Sequence, residues 1–355
     1  MTLQQAFLAQ SRACTRLGSP FMGQLCRLLA QHWPCDSQIA QSFLRFEGDL
    51  GPDGHSLPLR LAGGLHALVL SDRAPMLAES YPPNDVGDEI LLQNLLRALD
   101  EHAPFLSRWV ERPPQTNEVR RSALLIAGAH VALQHFDVPI HLSELGASGG
   151  LNLMWDHYAL VIDDMRYGPD DAVVTLTPDW TGPLPPPAHP KVATRAGVDL
   201  NPLDPAKKED LLRLIAYLWP DQPTRLKMTR AAASVATAPV FAGDAIEWLE
   251  QRLQNAPAGQ LHLIQHTVAW QYFPKSAQVR GHQLIAAAGQ NATAERPLAW
   301  LSMETDGEVA GKNGAALTLR LWPGNYQINL GRADFHGRWV RWAYDDEKGG
   351  GTCEH

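Results

Sequence analysis

The sequence predicts an α/β protein. A helical region over residues 1–136 precedes a mostly parallel sheet over residues 137–344, with an antiparallel pair at its edge. Three observations carry this. Apolar residues recur at helical spacing in the first part, as in Met22, Leu25, Cys26, Leu28 and Leu29, and again in Leu91, Leu92, Leu95, Leu96 and Leu99. From residue 140 onward, short apolar runs alternate with helical stretches. Between the two halves lies His141-Leu-Ser-Glu-Leu-Gly-Ala-Ser-Gly-Gly-Leu-Asn152, an apolar run that reaches Glu144 and then passes through five small residues.

The elements follow in order. Asn117–Phe136 is the clearest helix, capped by Thr116 or Asn117 and leading into a strand from Ile140 to Leu145. The small-residue turn Gly146–Gly150 then opens a helix-like segment. Tyr158–Gly168 and Ala172–Thr177 read as two strands around a turn, an insertion spanning about residues 157–190 that ends in a proline-rich connector. Val192–Val198 is a strand closing on Asp199, and Lys207–Trp219 is a helix stopped by Pro220. Ala238–Asp244 and a helix over Ala245–Leu253 form the next unit, followed by strands at Leu261–His266 and Pro297–Glu304. Leu317–Trp322 and Trp339–Trp342 read as a final antiparallel pair, and the tail 345–355 as disordered.

Composition narrows the function. The 355 residues are 45% hydrophobic and 19% charged, which is globular. A net charge of −8 argues against coating nucleic acid backbones and favours small-molecule partners. The basic clusters Arg112, Arg120, Arg121 and Arg225, Lys227, Arg230 read as solvated helix faces. No apolar run is long enough for a membrane span, and the amino terminus lacks the pattern of a secretory signal. Four cysteines without Cys-x-x-Cys spacing suit a reducing cytoplasm. Nothing predicts an oligomeric state.

Three acids close three successive strands: Glu144, Asp199 and Asp244. In an open parallel sheet ligands gather outside the carboxyl ends of the strands. Small residues at Gly146, Ser148 and Gly150 let the backbone approach a ligand, and amides opening the next helix would face polar atoms. His266 is the candidate base because its ordinary pKa lies near neutrality, with Glu304 as a further candidate base. Trp270 and Tyr272 are candidates for an aromatic wall against substrate. No metal site is expected: His262 and His266 lie on a strand, and His336 beside Asp334 is no ligand set.

The string Glu144-Leu-Gly-Ala-Ser-Gly-Gly150 resembles the first motif of Rossmann-like, S-adenosylmethionine-dependent methyltransferases, with Ser148 where glycine is usual. That resemblance implies a class I methyltransferase sheet, with S-adenosylmethionine as cofactor. Gly146–Gly150 would lie against its methionine part with Glu144 nearby, Asp199 would hold the ribose, and Asp244 with Ala245 would read the adenine. The helical region would cover the cofactor and shape the acceptor pocket. Asp163 or Asp164 is the alternative ribose acid by spacing, set against its likeness to a hairpin turn. Longer strings resemble the bacterial family of domain of unknown function 2332. They are Gln115-Thr-Asn-Glu-Val-Arg-Arg-Ser-Ala123, Glu144–Leu153, Arg195–Asp204, His266–Tyr272 and His336–Val340.

Two other readings use the same residues. Gly146-Ala-Ser-Gly-Gly150 also satisfies the Gly-x-Ser-x-Gly elbow of α/β hydrolases, with Ser148 as nucleophile, Asp244 or Asp306 as acid and His336 as base. Alternatively, the domain binds a nucleotide-like ligand without catalysis.

Overall fold

The computed structural model describes residues 1–52, 54–307, 313–345 and 352–353. It divides into two compact units, Met1–Thr116 with Pro205–Arg230, and Asn117–Asp204 with Ala231–His355. This grouping differs from the boundary at 136 read from sequence. Helix Ser122–His135 belongs with the sheet because it is apolar on all sides: Gly128 sits so close to Leu301 that a Cβ there would meet its side chain at 2.6 Å. Conversely, helix Lys208–Ala216 belongs with the helical unit, where Gly63 lies under the Tyr217 ring and His66 Nδ1 is 3.1 Å from the Ala216 carbonyl.

The helical unit is built on the amphipathic helices Leu3–Arg16, Pro20–Gln31 and Asp88–Glu101, together with Leu57–Leu70, which is buried along most of its length. Thr2 opens the first with a full capping box closed by Gln5, and Ser19 caps the second. Their apolar stripes meet in a core of Phe7, Leu25, Leu29, Leu61, Leu65, Leu91 and Leu95. Each such side chain contributes roughly 1.5–3 kcal/mol by leaving water.

The second unit contains the strands β1 (Ile140–Leu145), β2 (Tyr158–Ile162), β3 (Met165–Tyr167), β4 (Val174–Leu176), β5 (Asp179–Thr181), β6 (Val192–Asp199) and β7 (Val240–Ala242). They continue as β8 (Leu261–Thr267), β9 (Leu298–Glu304), β10 (Ala315–Trp322), β11 (Tyr326–Ala333), β12 (Trp339–Trp342) and β13 (Thr352–Cys353). The large sheet runs β5-β12-β11-β10-β9-β8-β1-β6-β7, and its stretch from β9 to β7 is entirely parallel. β1 and β8 are buried along their whole length, so the polar side chains they carry, His141, Ser143, Glu144, His262, Gln265 and His266, are buried with them.

Four expectations are corrected. Leu317–Trp322 and Trp339–Trp342 are not partners, since β11 lies between β10 and β12 and is antiparallel to both. The insertion is a separate three-stranded sheet, β3-β2-β4, in which the first predicted strand folds back on itself at Asp163, whose φ of 51° makes the tight turn. The segment after the glycine-rich turn is a kinked 3-10 helix, Leu151–His157, rather than an α-helix. The predicted helix at 117–136 begins as a 3-10 turn at Val119–Arg121 and becomes α-helical at Ser122. Of the expected disordered tail, 346–351 and 354–355 lie outside the described residues, and Thr352–Cys353 pairs with β11. Among the described residues no helix is long and apolar enough to cross a membrane.

Candidate functional site

The carboxyl ends of β7, β6, β1 and β8 lie side by side, so the loops that leave them share one edge of the sheet. Leaving β1, the chain takes left-handed backbone at Gly146 (φ 71°), Ser148 (φ 54°) and Gly150 (φ 70°). Glycine is required at two of these for space as well as conformation. A Cβ on Gly146 would meet Ala269 at 2.5 Å, and one on Gly150 would meet Val240 at 2.9 Å.

The turn's amides are largely spoken for. Gly146 and Ala147 donate to the Val198 carbonyl, Ser148 to Asp199 Oδ2 at 2.9 Å, Gly150 to Ala147, and Leu151 to Asn117 Oδ1 at 2.9 Å. The expectation of a helix amino terminus offering several unpaired amides is therefore corrected. The 3-10 helix is locked from both sides: Ser122 donates to Asn152 Oδ1, the Trp155 indole donates to Gln265, and Gln265 donates to the Asn152 carbonyl.

What the turn leaves open is carboxylate and hydroxyl chemistry. Glu144 is 2% exposed, and its Oε2 has no hydrogen-bond partner. Burial pushes its pKa up to about 8; the Gln265 amide opposes this, Asp199 adds to it, and Arg121 opposes it. Ser148 Oγ is likewise buried without a partner. Asp199 ends β6 half-buried, and each of its oxygens takes one backbone N–H, from Ser148 and from Asn201. It joins the turn of β1 to the end of β6.

Asp244 follows β7 and is exposed. Its Oδ1 caps helix Ala245–Gln254 by accepting from Ile246 and Glu247. Asp163 and Asp164 lie exposed in the β2–β3 turn, within the small sheet.

The loop leaving β8 is closed by its own contacts. His266 is 1% exposed, and its Nε2 accepts from the Trp300 indole at 2.9 Å. An indole only donates, so Nε2 carries no proton and the ring is held as its Nδ1–H tautomer, donating to Glu304 Oε1 at 2.8 Å. Glu304 also accepts the Ala269, Trp270 and Gln271 amides. Its pKa lies below the ordinary value: burial would raise it, but the hydrogen bonds from His266 and from the Ala269 and Trp270 amides outweigh that. Both candidate bases are thus engaged, and neither offers a free atom to a substrate. The carboxylate instead holds a turn in which Val268 adopts φ 53°, costly for a β-branched residue.

The aromatic pair is split. Trp270 is 7% exposed and stacks on His266 with ring centroids 5.0 Å apart, whereas Tyr272 is 75% exposed. The two form no common wall.

Sequence reasoning missed Asn117, Glu118, Arg121 and Ser122, which line the same edge. Arg121 donates to the Thr267 and Phe335 carbonyls, and Arg120 pairs with buried Glu118 at 3.1 Å, so neither arginine is a solvated helix face. The available signal was a run of polar and charged residues opening an otherwise apolar helix. Among the described residues no group of three or more His, Cys, Asp or Glu side chains is placed to hold a metal ion.

A family model described as "Uncharacterized protein conserved in bacteria (DUF2332)" matches residues 4–342. No curated protein matches the chain.

Proposed function

This chain belongs to the DUF2332 family, and for it we propose binding of S-adenosylmethionine at the carboxyl ends of β1, β6 and β7, with methyl transfer to a small-molecule acceptor. The observation that carries the reading is the bond from the Ser148 amide to Asp199, which brings an acid of one strand onto the glycine-rich turn of its neighbour. Strand order supports it as well. β7-β6-β1-β8-β9 has the 3-2-1-4-5 order of a Rossmann-like sheet, whose switch point lies between β1 and β8.

The residues fit the ligand in three ways. Glu144 is a buried carboxyl whose Oε2 lacks a partner, suited to an ammonium group that would draw off its proton. Asp199 ends β6 with its carboxylate held against the turn of β1, the position at which an acid would meet a ribose hydroxyl. Asp244 keeps Oδ2 for an exocyclic amine, beside Ala245 at the start of its helix. When bound, S-adenosylmethionine supplies an electrophilic methyl on sulfonium. The protein's contribution is position, since His266 and Glu304 have no atom free to remove a proton. The acceptor in this reading carries its own lone pair, as a carboxylate or unprotonated nitrogen does. The setting is cytoplasmic, and nucleic acid is not the substrate.

Ser148 at φ 54° favours a second reading, because a nucleophile elbow strains its serine in this way. Its triad is not assembled. Ser148 Oγ has no partner, Asp244 caps a helix, and Asp306 is paired with Arg332.

Calorimetric titration with S-adenosylmethionine and S-adenosylhomocysteine tests the proposal. Micromolar binding lost in Glu144→Ala and Asp199→Ala supports it. Absence of binding, with Ser148 labelled by a fluorophosphonate, replaces it with the hydrolase.

A further inference from the structure

At the opposite end of the same strands, the second unit carries a cavity of about 330 Å³ that opens to solvent. It lies between helices Ala245–Gln254 and Lys275–Gln290, over the starts of β8 and β9. This is the size at which small-molecule sites begin. Leu253, Leu284, Ala288 and Leu298 give it apolar walls.

Two of its polar side chains carry buried atoms that nothing in the protein satisfies: His262 Nδ1 and Gln260 Oε1. His262 Nε2 lies 2.9 Å from Ser143 Oγ, which also accepts from Arg252 Nε at 3.2 Å. His262 is 2% exposed, and burial holds its pKa well below the ordinary value, so the ring is neutral. A neutral ring nitrogen is a donor or an acceptor according to its tautomer, and an amide, with an N–H and a carbonyl, meets either form at Nδ1 as well as the acceptor Gln260 Oε1. Leaving each unmet costs about 1–3 kcal/mol.

At the rim, exposed Arg296 has no carboxylate paired with it among the described residues. The acid beside it, Glu250, is already bound to Arg280 at 2.5 Å, so it does not cancel the charge of Arg296.

We propose that this cavity is a second ligand site, separate from the carboxyl-end edge, for a small amphipathic molecule. The ligand has a neutral group that both donates and accepts, such as an amide, at its inner end. It has an apolar middle and a carboxylate at its outer end. His262 and Gln260 read the amide, the leucines take the apolar part, and Arg296 holds the anion.

N-acetyl-leucine has all three parts and serves as the probe, followed by ligand-observed NMR on the full chain. Two truncations accompany it: 4-methylpentanoate lacks the amide, and N-acetyl-leucine amide lacks the anion. The account expects millimolar or tighter binding of the probe and at least about tenfold weaker binding of each truncation. Arg296→Ala, on the surface, and Leu284→Trp, which fills the cavity, weaken the probe by a similar factor while both variants keep the parent melting temperature. Equal binding of all three compounds, unchanged binding in Arg296→Ala, or no binding of the probe overturns the proposal. Titration with S-adenosylmethionine is unaffected by either variant, so failure here is distinct from failure at the other edge.

Discussion

The loops that leave β1 and β8 begin on adjacent strands, just beyond the register partners Glu144 and Gln265, yet they are built to opposite ends. After β8 every polar atom of the central pair is used: His266 bonds through both nitrogens, and Glu304 collects three amides and an imidazole. After β1, Glu144 Oε2 and Ser148 Oγ are buried with nothing to bond. Buried polar groups are ordinarily satisfied, and the exceptions call for an explanation. The difference teaches that a titratable residue at a strand end is not by that fact a reagent. The loop after β8 holds shape, and the turn after β1 is where a ligand gains most.

The largest effect expected is on Glu304. Replacing it with alanine strands three amides and the Nδ1–H of His266, at a cost of about 3–5 kcal/mol, read as a fall in the denaturant midpoint. A variant as stable as the parent would break the comparison. The pH dependence has a definite sign. A carboxylate with lowered pKa contributes stability that is full above its unfolded value of 4.5 and is lost as pH falls through the folded value. Glu304→Gln flattens that acid limb.

Glu144 acts in the reverse sense. Its folded pKa of about 8 stands above the unfolded 4.5, so the native state binds the extra proton between those values and stability declines as pH rises across that window. Glu144→Gln removes the decline. The variant then matches the parent at the acid end of the window and exceeds it above the upper pKa, as unfolding at two pH values will show. A parent with flat stability there contradicts the burial of an unpaired acid.

Smaller effects sharpen the picture of the β8 loop. Trp300→Phe removes the indole donor to His266 Nε2 and costs about 1 kcal/mol, read as a small fall in the denaturant midpoint. Val268→Gly relieves the left-handed backbone and changes stability by at most about 1 kcal/mol, in the favourable direction. A marked loss there would mean that the Val268 side chain matters more than its strain.

Much of this architecture was legible in the sequence, and for stated reasons. β1, β6, β8 and β9 read as strands because each is a short run carrying apolar residues between helical or proline- and glycine-rich stretches. β11 was invisible because Asn329, Gly331 and Arg332 interrupt its alternation, with Gly331 at φ 118° where a Cβ would strike the Arg341 carbonyl at 2.1 Å. Lys275–Gln290 went unmarked since its apolar face is weak, with Gly281, Ile285 and Gly289 as its buried residues. At the site, spacing located Glu144, Asp199 and the turn, which are local features. It could not show that Trp300, far along the chain, occupies the nitrogen His266 would need, or that Asn117 caps Leu151 rather than its own helix. Those facts are tertiary, and no periodicity encodes them.

The central claim is that Glu144 awaits a cationic ligand. The direct measurement is calorimetric titration of the protein with S-adenosylmethionine near pH 6.5, repeated in two buffers of different ionisation enthalpy. Below the usual α-amino pKa the ligand's amine is already charged, so any proton released comes from the protein. The account predicts release of about one proton on binding to the parent chain and none with Glu144→Gln. Binding with the same proton count in both proteins, or no binding at all, would contradict it.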